Sequence, residues 1–207
     1  MMKGEGVIKF DCHWNRSEPL DEELITDLNY WRSKMYELGL IGVGEDGIGY
    51  GNISVRFQNN QFIISGSGTG KIKTLTGAHY ALVTNHDIPN NRLWSTGSTI
   101  ASSESLTHAM LYELAADVHA VIHVHHNELW RRLLKTAPST ADDIEYGTPA
   151  MAMEIARLFK EKDLAHEKMF AMGGHHGGVM FFGKDLAEAA EILFKVYLPM
   201  QSAENTG

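Results

Sequence analysis

Val121-Ile122-His123-Val124-His125-His126 is a β-branched run interrupted by histidines at alternate positions. Valine and isoleucine suit a pleated, half-buried backbone, and successive side chains on a strand point to opposite faces. His123 and His125 therefore project from one face as a ready pair of imidazole ligands, and His126 falls on the other. Imidazole nitrogen suits zinc and its neighbours, yet two histidines leave a site incomplete. The rest of the chain has to supply the sheet around this strand and a further ligand for it.

The chain has 207 residues, 43% of them apolar, enough for one well-filled core; we expect a single α/β domain over residues 1–207, with an arm at 1–16 and a tail at 200–207. A net charge of -8 argues against nucleic-acid binding, which calls for a basic stripe. The lone Cys12 permits no intrachain disulfide and fits a reducing compartment. No apolar run approaches the ~20 residues of a membrane span, and the first fifteen residues lack the apolar core of a signal segment. A soluble cytoplasmic protein without membrane or nucleic-acid partners is expected.

Upstream of the histidine strand, Ser17-Glu18-Pro19 starts a helix running to about Leu40, with Leu24, Leu28, Trp31, Met35 and Leu38 as its core stripe. A glycine-rich loop follows from Gly39 to Gly51, then a strand from Tyr50 to Phe57 that turns at Asn59-Asn60 into Gln61 to Ser65. Ser65-Gly66-Ser67-Gly68-Thr69-Gly70-Lys71 can aim backbone N–H groups and hydroxyls at an anion, although a flexible turn explains it equally well. A further strand is expected from Tyr80 to Thr84, with a return through Leu93 to Ser95. Ser102-Ser103-Glu104 leads into a helix to Leu114, the hydroxyls serving as caps and Glu104 suiting the helix dipole. His108, one turn beyond Glu104, reads as solvated.

Downstream, Asn127 caps a helix carrying Trp130, Leu133 and Leu134, and Thr148-Pro149 opens another reaching about Lys162. A short strand over Phe170 to Met172 and one over Val179 to Phe182 flank Gly173-Gly174-His175-His176-Gly177-Gly178, and a helix from Asp185 to about Leu198 closes the chain. A histidine pair enclosed by four glycines has almost no local side chains to pack against, so a ligand role is favoured for it.

Gly51-Asn52, the Ser/Gly loop, Ser102-Ser103-Glu104, His123-x-His125 and His176-Gly177 occur in an order that resembles the class II aldolase/adducin family, with Glu104 nineteen positions before His123. The resemblance covers roughly Leu24 to Tyr197 and includes Tyr146-Gly147-Thr148-Pro149 as the family's Gly-Thr helix start. It implies a three-layer α/β/α fold around a central, largely antiparallel sheet. It also implies a zinc ion, or another divalent metal, on His123, His125 and His176, with His175 the rival third ligand. Gly51, Asn52, Ser67, Gly68, Ser102 and Ser103 map to the family's phosphate-binding residues.

Glutamate after the double serine matches the family's aldolases and dehydratases, whereas its sugar-phosphate epimerases carry aspartate there. The resemblance thus implies a lyase that cleaves a small sugar phosphate or related hydroxy-carbonyl compound by a retro-aldol reaction. Its course runs through a metal-stabilised enediolate, and Glu104 carries the proton. A ketose-phosphate dehydratase on the same residues, or a non-catalytic adducin-like interaction domain, is the alternative. A homo-oligomer, commonly a tetramer, is implied as well. Asn127 to Glu145 is shorter than in the family's fuculose-phosphate aldolases and holds no tyrosine, which leaves the acid for the aldehyde fragment unassigned.

Overall fold

The computed structural model describes residues 7–45 and 47–204, and in it the chain begins with strand β1 (Asp11–Arg16) and helix α1 (Glu22–Glu37). Two short strands, β2 (Gly42–Val43) and β3 (Gly49–Tyr50), pair with each other, and β4 (Asn52–Arg56) and β5 (Phe62–Ser65) form a hairpin. After single 3-10 turns at Thr69–Lys71 and Gly77–His79 come β6 (Tyr80–Asp87), β7 (Arg92–Gly97) and α2 (Ser105–Leu114). The histidine strand is β8 (Ala120–His125), followed by α3 (Asn127–Thr136), α4 (Pro149–Glu161), α5 (Leu164–Glu167), β9 (Met169–Ala171), β10 (Gly178–Gly183) and α6 (Leu186–Glu204). Among the described residues no helix is long and apolar enough to cross a membrane.

Eight strands form one sheet in the order β1-β7-β6-β5-β4-β8-β10-β9. Every neighbouring pair is antiparallel except β1 with β7. Strand β8 lies inside the sheet between β4 and β10, and all six of its residues are buried. Its alternation splits the core in two. Val121 joins Phe62, Met180 and Phe182 against α2 and α4, through Leu106, Ala109, Ile155 and Leu158. Ile122 and Val124 join Ile53 and Phe181 against α1 and α6, through Ile25, Leu28, Ala190 and Leu193. The architecture is therefore α/β around a large, mostly antiparallel sheet, with the strand that carries His123 and His125 near its middle.

Several expectations are corrected at this level. Asp11–Arg16 is an edge strand rather than an irregular arm; its side chains are mostly exposed, so backbone pairing to β7 holds it. Helix α1 buries Ile25, Leu28, Arg32 and Met35, leaving Leu24 42% and Leu38 38% exposed and Trp31 half-buried. An arginine therefore occupies a core position that an apolar stripe cannot reveal. His126, not Asn127, caps α3, its Nδ1 accepting from the Leu129 N–H at 3.2 Å. Thr148 caps α4 as expected, its hydroxyl accepting from the Met151 N–H at 3.3 Å with Pro149 next in line. Helix α6 runs through Pro199 to Glu204, so the tail expected from residue 200 is helical at its start; residues 1–6 and 205–207 lie outside the described residues.

Candidate metal centre

On β8, His123 and His125 face the same side, and their Nε2 atoms stand 3.1 Å apart. Both are buried, His123 completely. Nδ1 of His123 donates to the Val179 carbonyl of β10 at 3.2 Å. That bond fixes the tautomer and leaves Nε2 as the lone-pair nitrogen, the arrangement common behind metal-bound histidines.

The third imidazole comes from the glycine-rich connection between β9 and β10. The His175 N–H bonds to the Met172 carbonyl at 3.1 Å and the Gly178 N–H to the His175 carbonyl at 2.9 Å, which makes two successive tight turns. Gly173 and Gly174 press against the 140–144 segment: a Cβ on Gly174 would lie 2.1 Å from the Ile144 carbonyl oxygen. A Cβ on Gly178 would stand 3.2 Å from both the His123 and His175 rings, so the missing side chain leaves room for two imidazoles. These constraints turn His175 inward. Ring centroids of His175 lie 5.3 Å from His123 and 4.6 Å from His125, and one ligand atom from each of the three histidines falls within 4.8 Å of the others.

Glu104 sits at the N-cap of α2, 1% exposed, without capping its helix through its side chain. Its Oε1 stands 3.0 Å from His175 Nδ1 and 4.0 Å from His123 Nε2, while Oε2 accepts from the Thr107 hydroxyl at 3.0 Å. Burial pushes this carboxyl up, but the His175 hydrogen bond, the neighbouring His175 and His123 rings and Thr107 outweigh it and hold it at about 2. The group is therefore a carboxylate at neutral pH. Burial first, then the adjoining histidines, keeps His125 well below the ordinary imidazole range, so it stays neutral, the form that binds metal. Three converging imidazoles beside a carboxylate fit a divalent cation such as zinc.

The anion-binding candidates also converge. Gly51, Asn52, Ser67, Gly68, Ser102 and Ser103 all line one small polar cavity, together with Gly49, Gly66, Thr69 and Gly70. Gly51 adopts φ +74° and a Cβ there would approach the His123 carbonyl oxygen to 3.0 Å, so only glycine fits between the cavity and β8. Asn52 is paired with His123 in the sheet, and Ser103 is bonded to Glu104 along the chain. Cavity and histidine cluster are thus contiguous at two points.

His176 is the residue that the structure does not bring into the cluster. It is exposed, its ring 4.8 Å from that of Trp130, whose indole N–H is bonded to the Met172 carbonyl at 2.8 Å. The two turns put its neighbour inside instead, so His175 is the third histidine of the group. His108, expected in solvent, is fully buried: Nδ1 lies 2.7 Å from the Ser54 hydroxyl, which lies 2.6 Å from the Tyr112 hydroxyl. Burial, followed by the nearby His123 and against the opposing Glu104 charge, lowers the His108 pKa to about 3.

Two tyrosines beside the cluster were read from the sequence only as a strand start and a helix-start motif, not as site residues. The Tyr146 ring is 4.4 Å from that of His175, and the Tyr50 ring 5.5 Å from that of His125. Tyr146 is held from the other side by the N-terminal segment, the Val7 N–H meeting its hydroxyl at 3.3 Å and the Lys9 ammonium lying 3.9 Å from its ring centre. A signal existed at Gly147, whose φ of +66° and close approach to the Ser103 carbonyl seat the adjoining tyrosine over the site.

A family model, Class II Aldolase and Adducin N-terminal domain, matches residues 34–196. No match is found among curated proteins. Among solved structures, an L-fuculose 1-phosphate aldolase is similar at TM-score 0.63 and 20% identity, over 91% of this chain and 90% of that one. The L-fuculose-1-phosphate aldolase of Thermus thermophilus gives 0.63 and 20% over 90% and 98% of the two chains. A sugar-phosphate aldolase of Thermotoga maritima gives 0.63 and 19% over 89% and 96%. At these identities the likeness is one of fold.

Proposed function

The chain belongs to the class II aldolase and adducin family, and from that premise we propose that it is a divalent-metal-dependent lyase cleaving a small phosphorylated hydroxy-carbonyl compound by a retro-aldol reaction. The observation that carries this reading is one buried carboxylate, Glu104, set against a three-histidine cluster and next in the chain to Ser103 of a polar cavity. A bare interaction scaffold has no use for that arrangement. The architecture is read as three layers, the two core clusters on opposite faces of the sheet supporting it.

His123, His125 and His175 would hold the metal, zinc by the softness and number of its nitrogens. When bound, such an ion acts as a Lewis acid towards a carbonyl and its neighbouring hydroxyl. Glu104 holds and moves the proton at Oε1; Thr107 occupies Oε2 and fixes the carboxylate plane. The cavity from Asn52 to Ser103 binds the phosphate end through hydroxyls and backbone N–H groups. Tyr146, packed on His175, takes the place of an acid for the aldehyde fragment, a role for which the chain offers no tyrosine between Asn127 and Glu145. We read the protein as cytoplasmic and homotetrameric, in keeping with the family resemblance.

Glu104→Gln preserves the shape of the site and removes the base. Assayed on the zinc-loaded protein with a panel of ketose phosphates, and in reverse with aldehydes plus dihydroxyacetone phosphate, it should lower kcat by at least about a hundredfold at unchanged zinc content. A near wild-type rate sinks the assignment.

A further inference from the structure

Arg32 occupies a core position of α1 and is 1% exposed. Among the described residues its guanidinium bonds to three backbone carbonyls, Lys73 at 2.8 Å, Thr69 at 3.1 Å and Gly70 at 3.0 Å, and to no carboxylate. The Tyr36 ring covers it, its centre 4.7 Å from Cζ. Carbonyl dipoles and an aromatic face soften a buried charge without cancelling it, and an uncompensated buried cation is costly.

Two of the three carbonyls belong to Thr69 and Gly70, which line the polar cavity. Because a trans peptide points its N–H opposite to its C=O, anchoring these carbonyls turns the N–H groups of Gly70 and Lys71 away from the guanidinium. No acidic side chain lines the cavity, although the chain carries a net charge of -8. Asn52 lines it too, 6% exposed, with a buried Oδ1 that has no hydrogen-bond partner. Rotation of that amide about its last bond presents the NH2 group in place of the oxygen. The cavity is a pocket of glycines, hydroxyls and one amide with no charged side chain in its lining, and Arg32 stands behind its Thr69–Gly70 wall.

We infer that Arg32 is a positioning and specificity residue for the phosphate group of the substrate: it clamps the Thr69–Lys71 turn from behind and supplies the cavity with a fixed positive charge, without touching the ligand. This rests on the reading of the cavity as the phosphate end. Guanidinium is suited to the task because its rigid fork reaches the Lys73 carbonyl from one nitrogen and the Thr69 and Gly70 carbonyls from the other, a spread that a point-like ammonium does not match.

The test is calorimetric titration of inorganic phosphate into zinc-loaded wild type, Arg32→Met and Arg32→Lys, with zinc affinity measured in parallel. Arg32→Met should bind phosphate at least tenfold more weakly while its zinc affinity changes less than twofold; Arg32→Lys should fall between it and the wild type. A folded Arg32→Met with wild-type phosphate affinity overturns the inference. If that variant fails to fold, Arg32→Lys decides: weaker phosphate binding at unchanged zinc affinity supports the role, and equal phosphate affinity overturns it. Wild type that binds no phosphate, or loses it entirely when stripped of metal, defeats the reading of the cavity itself and the inference with it.

Discussion

His175 and His176 are adjacent and chemically identical, yet one is buried against Glu104 and the other lies exposed on Trp130. Removing the two imidazoles should therefore have unequal effects. His175→Ala should weaken zinc binding by more than about a hundredfold, beyond the usual effect of losing an outer-shell partner. His176→Ala should leave it within a few-fold, both read from competition with a chelating dye. Equal losses would place the metal elsewhere. The family resemblance pointed to His176, just ahead of Gly177, and the structure overturns that choice; the flanking glycines permit either side chain to turn inward, so the residues themselves held nothing to correct it. His123, His125 and Glu104, by contrast, were legible as a group, since strand alternation and the order of motifs constrain where they point. His108 was misjudged and Arg32 passed unread for a common reason: a polar side chain at a helical position gives no sign of burial until the opposing surface is known. For His108 that surface is Ser54 and Tyr112; for Arg32 it is a row of carbonyls.

The element that sets this choice is the β9–β10 connection, whose shape depends on glycines lying against neighbouring backbone. At Gly174 an added methyl would stand 2.1 Å from the Ile144 carbonyl oxygen, and backbone cannot step aside as a flexible side chain can. Gly174→Ala should cost about 1–3 kcal/mol of stability, as overpacking does. It should also lower zinc affinity at least tenfold by displacing His175, with denaturant melts and the same dye competition as measurements. Unchanged zinc binding would mean that the connection does not position the histidine. Elements differed in how far they could be read. β8 announced itself through β-branched residues and alternation, and α4 through its Thr-Pro start. β1 gave no such signal, because an exposed edge strand is specified by the backbone of β7 and not by which face of it is apolar.

Across the molecule, the three histidines and Glu104 come from segments separated by 19 to 71 positions of chain, and they meet where β4, β8 and β10 lie side by side. A cation bound there bridges the start of α2, the middle of the sheet and the β9–β10 connection, and it binds the folded state in preference to the unfolded one. At free zinc a thousandfold above Kd the native state should gain about 4 kcal/mol, which for a chain of this size raises Tm by roughly 10 °C. A scanning-calorimetry trace unmoved by zinc or by chelator would rule out a metal at this position. The N-terminal segment enters this picture as more than a lead-in to β1. Val7 and Lys9 clasp Tyr146 from outside while its ring rests on His175. The segment that holds Val7 and Lys9 is therefore part of the wall of the site. Changes at Val7 or Lys9 reach the metal cluster through Tyr146, although neither residue is near it in the chain.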